Sequence, residues 1–390
     1  MSVILPTIRK VSHRGQGTGP ESCPGKRGQR PKTLAVYVMV VLVLIGALAL
    51  LKIIAGRLTR VRVLARFSEA NVVLAHEAGL VIRTQEGEAM VDPEGRHLAF
   101  DRPFELYVTA GSWIVGAGSS QMNLISADSP NEEPVTLQLY AEEKPIYVRG
   151  GDIAVTARPD SGLKFGESWC LRGISGKGAL LWQTKVPHVP FFAACNGDLL
   201  AIGAVDISGE GGPWIICLSK QTGERLWQEK LDPGLWRYLN ICDSGQIRAV
   251  LDSAAYLFSA DGSRLWVHYP DGKVVSATSI AGVTAIAIFR RLAEPISKTL
   301  GSSQVTALSH EGEVLWSRTS RYSCPRLFSA ESSIVALESN HVVIFRSNDG
   351  HRILSAAVNG YPIAYAKGVI VIKEGGDIIM ADLGIPDLVR

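Results

Sequence analysis

The chain has 390 residues, a formal net charge of +3, 20% charged residues, 39 Gly and 7% aromatics. Such a composition excludes an intrinsically disordered protein and suits strands and turns better than helices. The charge is unevenly placed. Residues 1–33 hold seven Lys/Arg and one acid, and Lys52, Arg57, Arg60, Arg62 and Arg66 follow. The remainder carries about −8, the reverse of a nucleic-acid binder, whose body is basic.

Residues 1–33 are rich in Gly, Pro, Ser, Lys and Arg and have too little apolar surface to fold, which predicts a disordered, basic, cytoplasmic tail. Residues 34–51 then run for 18 residues without a charge, and Ile53, Ile54 and Ala55 extend the run past Lys52. About 20 apolar residues cross a bilayer, and Lys52 can snorkel to the interface, so 34–55 is predicted to be a transmembrane helix. A cleaved signal peptide would have a shorter apolar core behind a shorter basic start and would end on a small-x-small site. Basic residues flank both ends of the run, so the positive-inside rule votes weakly for an inner N-terminus. A short tail before one span adds its weight to an N-terminus in the cytoplasm and a domain, 56–390, outside the cell membrane.

From Arg60 onward, Val-, Ile- and Leu-rich segments alternate with Gly, Asp, Asn and Pro, the signature of strands and turns. One stretch repeats. Cys217 to Trp227 reads CLSKQTGERLW, and degenerate copies occur at 171–182, 257–266, 308–316 and 344–354, the last without the Trp. The turns are Thr222-Gly223-Glu224, Asp261-Gly262-Ser263, Glu311-Gly312-Glu313 and Asp349-Gly350-His351. A short hairpin of this kind needs a residue at positive φ, which Gly adopts without a Cβ clash. Trp182, Trp227, Trp266 and Trp316 each come four residues after a turn Gly, and equal placement predicts core packing against a neighbouring unit.

Strands that follow the Gly turn are predicted near 61–67, 96–101, 134–140, 179–186, 224–230, 263–269, 313–318 and 351–358, a period of about 41 residues. That period predicts an all-β, eight-bladed β-propeller of four-stranded blades, with seven blades as the alternative if one of the first three units is miscounted. In the eight-bladed count the last unit supplies three strands and the N-terminal strand near 60–67 supplies its outer one. Closing the ring this way hides both open edges.

The segment 218–227 resembles the Trp-docking repeat of the quinoprotein (PQQ-type) β-propellers, with Thr222, Gly223 and Trp227 on its key positions and Lys220 in place of its Asp. The resemblance spans about residues 60–388 and is strongest over 166–317. It implies the propeller fold and is divided on activity, because the superfamily holds both quinone-dependent dehydrogenases and non-catalytic outer-membrane assembly lipoproteins. A dehydrogenase of this kind would need a catalytic Asp, Ca²⁺ ligands and often a vicinal Cys pair. No Cys-Cys pair and no acid-and-amide cluster suited to a hard cation occurs. Glu132-Glu133 and Glu142-Glu143 read as solvated turns. The eight His have no zinc-ligand spacing, the six Cys form no C-x-x-C, and Gly173 to Gly178 is a repeat turn rather than a phosphate loop. Cys170 and Cys217 share one repeat position, where a Cys serves as a small buried hydrophobe.

The expectation is therefore a non-catalytic, membrane-anchored binding or scaffolding module without cofactor or metal, engaging a protein, peptide or glycan. A quinone-dependent oxidoreductase and the ectodomain of a membrane sensor are the alternatives. Long connections at 158–167, 205–213 and 290–302 interrupt three units, on the face that also bears the loops crossing from blade to blade. Scaffold-borne loops carry recognition, so Arg158, Phe165, Trp236, Arg290 and Arg291 are the expected contacts on that face.

Overall fold

The computed structural model describes residues 62–383 apart from 77–78, 86, 92–96, 100–105, 111–112, 119, 127–134, 150–152, 161–167, 208–210, 281, 292–300, 321–324 and 367. The tail 1–33, the apolar run 34–55 and the turns at Pro93-Glu94-Gly95 and 131–134 lie outside the described residues. Among the described residues no helix is long and apolar enough to cross a membrane.

The described chain forms eight antiparallel sheets of four strands each, the arrangement of an eight-bladed propeller. In blades 1 to 7, numbered in chain order, the strands are adjacent in sequence and in space. Blade 4, for example, runs Val189–Asn196, Leu199–Asp206, Gly212–Ser219 and Arg225–Lys230. The first strands of successive blades lie against one another and are therefore innermost. Blade 8 takes Tyr361–Ala366, Val369–Glu374 and Asp377–Asp382 from the C-terminal end, and its outer strand, Arg62–Phe67, from the N-terminal end. The ring thus closes as the repeat count predicts. Arg66 adds ion pairs to Glu374 (2.6 Å) and Asp377 (3.0 Å) across that closure.

The burial pattern follows position in the blade. Middle strands such as Ile247–Leu251 and Ala255–Phe258 are buried at every residue, because neighbouring blades cover both faces. Their sequences are accordingly almost wholly apolar, with the buried Arg248 as the exception in these two. Outer strands such as Arg225–Lys230 are mostly exposed and alternate. The core is shared between blades: Ala201, Ile215 and Cys217 of blade 4 join Leu239, Ile247 and Tyr256 of blade 5 in one cluster. Cys170 and Cys217 are buried free thiols, and burial pushes Cys217 up to about 12, far from a reactive thiolate.

Several inner strands carry a bulge near their start, between Pro145 and Tyr147, Pro190 and Phe192, and Pro362 and Ala364 among others. Pro lacks the N–H that a regular ladder requires and is tolerated at such a bulge.

Candidate functional site

An up-and-down blade sends its connections alternately to two ends. The Gly turns, between third and fourth strands, form one end. The crossings between blades and the connections between second and third strands form the other, the crossover face.

At the turn end one device recurs. The Trp of the outer strand in each of blades 3 to 6 donates its indole N–H to a carbonyl in the next blade's turn: Trp182 to Lys220 (2.6 Å), Trp227 to Ala260 (2.9 Å), Trp266 to His310 (3.0 Å) and Trp316 to Ser347 (2.8 Å). The turn glycines have φ of 69° at Gly223, 92° at Gly262, 84° at Gly312 and 64° at Gly350. A Cβ at any of the four would sit 2.5–2.8 Å from the docked indole. Glycine therefore answers two demands, the left-handed turn and the seat for the preceding blade's Trp. Sequence reasoning supplies only the first.

On the crossover face the four crossings from blade 2 to blade 6 are each fastened differently. Between blades 2 and 3, Glu143 is buried rather than in the solvated turn expected, because it accepts hydrogen bonds from the Tyr140 backbone N–H (2.8 Å), the Thr156 hydroxyl and Arg172 Nη1 (2.7 Å). Two guanidinium groups lie over the Tyr140 ring, Arg158 at 4.4 Å and Arg172 at 4.6 Å from its centre. Arg158 Nε is buried without a hydrogen-bond partner, and the guanidinium lies against the Tyr140 ring. Between blades 3 and 4, His188 stacks on Trp214 at 4.6 Å, and its Nδ1 is 4.0 Å from Asp206. Burial lowers the imidazole pKa, opposed by Asp206 and assisted by Lys230.

Between blades 4 and 5, Asp232 accepts from Tyr269 (2.6 Å) and Tyr256 (2.8 Å), and these bonds hold its carboxyl below the usual range. The Leu235 N–H donates to Asp252 at 2.7 Å. Between blades 5 and 6, Arg290 Nε donates to the Asp271 carbonyl (2.6 Å), and its Nη2 is 3.3 Å from the Asp271 carboxylate.

Of the expected contacts, Arg158 and Arg290 lie on this face. Phe165 lies outside the described residues, as does the side chain of Arg291. Trp236 requires a correction. It is 8% exposed, donates its N–H to the Ala204 carbonyl at 3.0 Å and covers Gly203, so it docks blade 5 on blade 4. Its position at the head of an inner strand, beside the preceding blade, explains the burial.

The exposed large apolar residues among those described fall into two sets. Val63, Leu180, Leu181, Leu226, Leu265, Val314, Leu315 and Ile353 are first or second in an outer strand. Tyr140, Phe191, Ile207, Leu235, Tyr269 and Tyr361 lie on the crossover face or at the adjoining ends of inner strands. Phe191 is the extra residue of a bulge and is 59% exposed. Sequence reasoning missed this second set. The Pro of Pro190 and Pro362 was the available signal, because it marks where an inner strand bulges. Among the described residues no three His, Cys, Asp or Glu converge to hold a metal ion.

No protein-family model matches the chain, and no curated protein sequence matches it. Solved structures do. BamB from Moraxella catarrhalis is similar over 83% of this chain and 100% of its own, at 13% identity and a TM-score of 0.50. The WD40 domain of SCAP from fission yeast is similar over 84% of this chain and 99% of its own, at 9% identity and 0.52. The quinohemoprotein alcohol dehydrogenase from Comamonas testosteroni is similar over 85% of this chain and 77% of its own, at 9% identity and 0.53. A fold common to a dehydrogenase and a WD40 domain does not select an activity. The likeness is one of fold, and that fold is the β-propeller expected from the repeat.

Proposed function

We propose that this protein is a membrane-anchored, non-catalytic propeller that binds a protein or peptide on its crossover face. The observation that carries this reading is the set of exposed apolar side chains on that face, in loops fastened by buried or half-buried polar groups. Tyr and Arg dominate the energetics of protein interfaces because they offer large, stiff, amphipathic surfaces. Tyr140 in contact with Arg158 and Arg172 is such a surface, and those contacts order it before a partner arrives. The anchor is the apolar run 34–55, interrupted only by Lys52, with the N-terminus in the cytoplasm and the propeller outside the cell membrane.

Photo-crosslinking in intact cells tests the reading. A photoreactive residue at Tyr140 or Tyr269 is expected to capture a discrete partner that the same residue at Glu224, in the turn end, does not. Combined Tyr140→Ala and Tyr269→Ala substitution should weaken capture at least tenfold. Equal capture from both ends would sink the proposal. Alkaline extraction of membranes tests the anchor separately: full-length protein should stay in the pellet, and protein without 34–55 should be released.

A further inference from the structure

Two repeat positions face each other where adjacent blades meet at the outer wall. One is the residue two past the Trp of an outer strand. The other is the residue opening the outer strand of the next blade. Between blades 4 and 5 these are Glu229 and Arg264, and they form an ion pair, with Arg264 Nε donating at 3.1 Å. Between blades 6 and 7 the same positions are Arg318, in Val314–Ser320, and Arg352, in Arg352–Ala357. Two like charges stand where the other junction has a salt bridge, and like charges repel.

Both arginines line a groove of about 360 Å³ between these blades. Arg318 is held in place: its Nε donates to the Gly350 carbonyl (3.1 Å) and its Nη2 to the Asp349 carbonyl (3.3 Å). Arg352 is exposed and has no hydrogen bond or ion pair among the described residues. The single acid in the lining, Glu338, is 3% exposed, and burial raises its pKa against the effect of a Ser320 hydrogen bond. Val343 and Phe345 give the groove an apolar floor. A pair of cations over an apolar floor, with its one carboxyl buried, lacks an anion.

We propose that this groove binds an organic anion, with a carboxylate received between Arg318 and Arg352 and a compact apolar body resting on Val343 and Phe345. A guanidinium pair suits a carboxylate because charge-assisted hydrogen bonds to its two oxygens can come from both sides. Such a group is found on a free carboxylic acid and at the C-terminus of a peptide ending in an apolar residue.

Calorimetry and saturation-transfer NMR on the full-length protein in detergent test the site. The probes are phenylacetate, phenylacetamide, inorganic phosphate, and acetyl-Leu-Phe as acid and as amide. At least one carboxylate is expected to bind, tenfold or more tightly than its amide and than phosphate. Phenylacetate alone would identify a free acid as the source, and the peptide acid alone a peptide end. Arg352→Gln should weaken that binding about tenfold, or 1.4 kcal/mol, without loss of fold. Arg352→Glu should form an ion pair with Arg318, raise Tm and abolish carboxylate binding. No carboxylate binding at millimolar concentration, equal binding of acid and amide, phosphate binding as tight as the acid, wild-type affinity in Arg352→Gln, or a fall in Tm in Arg352→Glu would each overturn the proposal.

Discussion

The two ends of the propeller solve the same problem differently. Both must tie each blade to the next. The turn end uses one device at successive junctions, an indole N–H on a turn carbonyl over a glycine at positive φ. The crossover end uses a different device at each of the four crossings from blade 2 to blade 6: a buried Glu143, a stacked His188, an Asp232 bonded to two tyrosines, an Arg290 on Asp271. A repeated solution holds the ring together whatever the protein binds. Unrepeated solutions give each sector of the crossover face its own shape and charge, which is what recognition of one partner requires.

The largest test of the contrast removes a repeated tie. Trp316→Ala deletes a side chain that is 6% exposed and should cost about 3–5 kcal/mol in denaturant unfolding. The folded fraction should keep its partner binding, and a loss of binding at equal folded fraction would break the division between the two ends. Next comes an unrepeated tie. Glu143→Ala leaves Arg172 without its buried partner and should cost about 3 kcal/mol. This variant should also loosen Tyr140 and reduce capture, an effect Trp316→Ala should lack.

Gly262→Ala sharpens the comparison from the turn side. The new Cβ would meet a φ of 92° and the Trp227 ring at 2.8 Å, so a cost of about 1–3 kcal/mol is expected from thermal melts. A neutral result would show that the turn tolerates a side chain under the indole.

The smallest effect is pH dependence at His188. Burial lowers its folded-state pKa, so folding favours the neutral ring. That stability is present above the ordinary imidazole value of about 6.5 and is lost as pH falls through the lowered value. His188→Phe keeps the stack on Trp214 and removes the titration. Between pH 7.5 and 5 the wild type should lose more Tm than the variant; a constant difference across that range would reject the assignment.

The outer strands show how far local pattern reaches. The strand predicted near 313–318 is Val314–Ser320, and that near 224–230 is Arg225–Lys230. Turn glycine, Trp spacing and apolar alternation are all set within a few residues, so they are legible in the chain. The ring closure follows from counting the same units. Trp236 shows where this stops. As a residue it has the character of a contact, and only the approach of Gly203 from the preceding blade makes it core. Arg158 was legible as a basic residue beside a long connection, yet its stacking on Tyr140 was not.

From the sequence alone, this protein is determined to be a ring of like units with a Gly turn and a docking Trp, because those features depend on backbone conformation and short-range periodicity. The tertiary structure decided which carbonyl each Trp meets, which tyrosine two arginines stack over, and that Arg318 and Arg352 line one groove where Glu229 pairs with Arg264. Each of those contacts joins residues between 18 and 44 positions apart. Their meeting depends on how blades pack, a property of the whole ring that no single repeat contains.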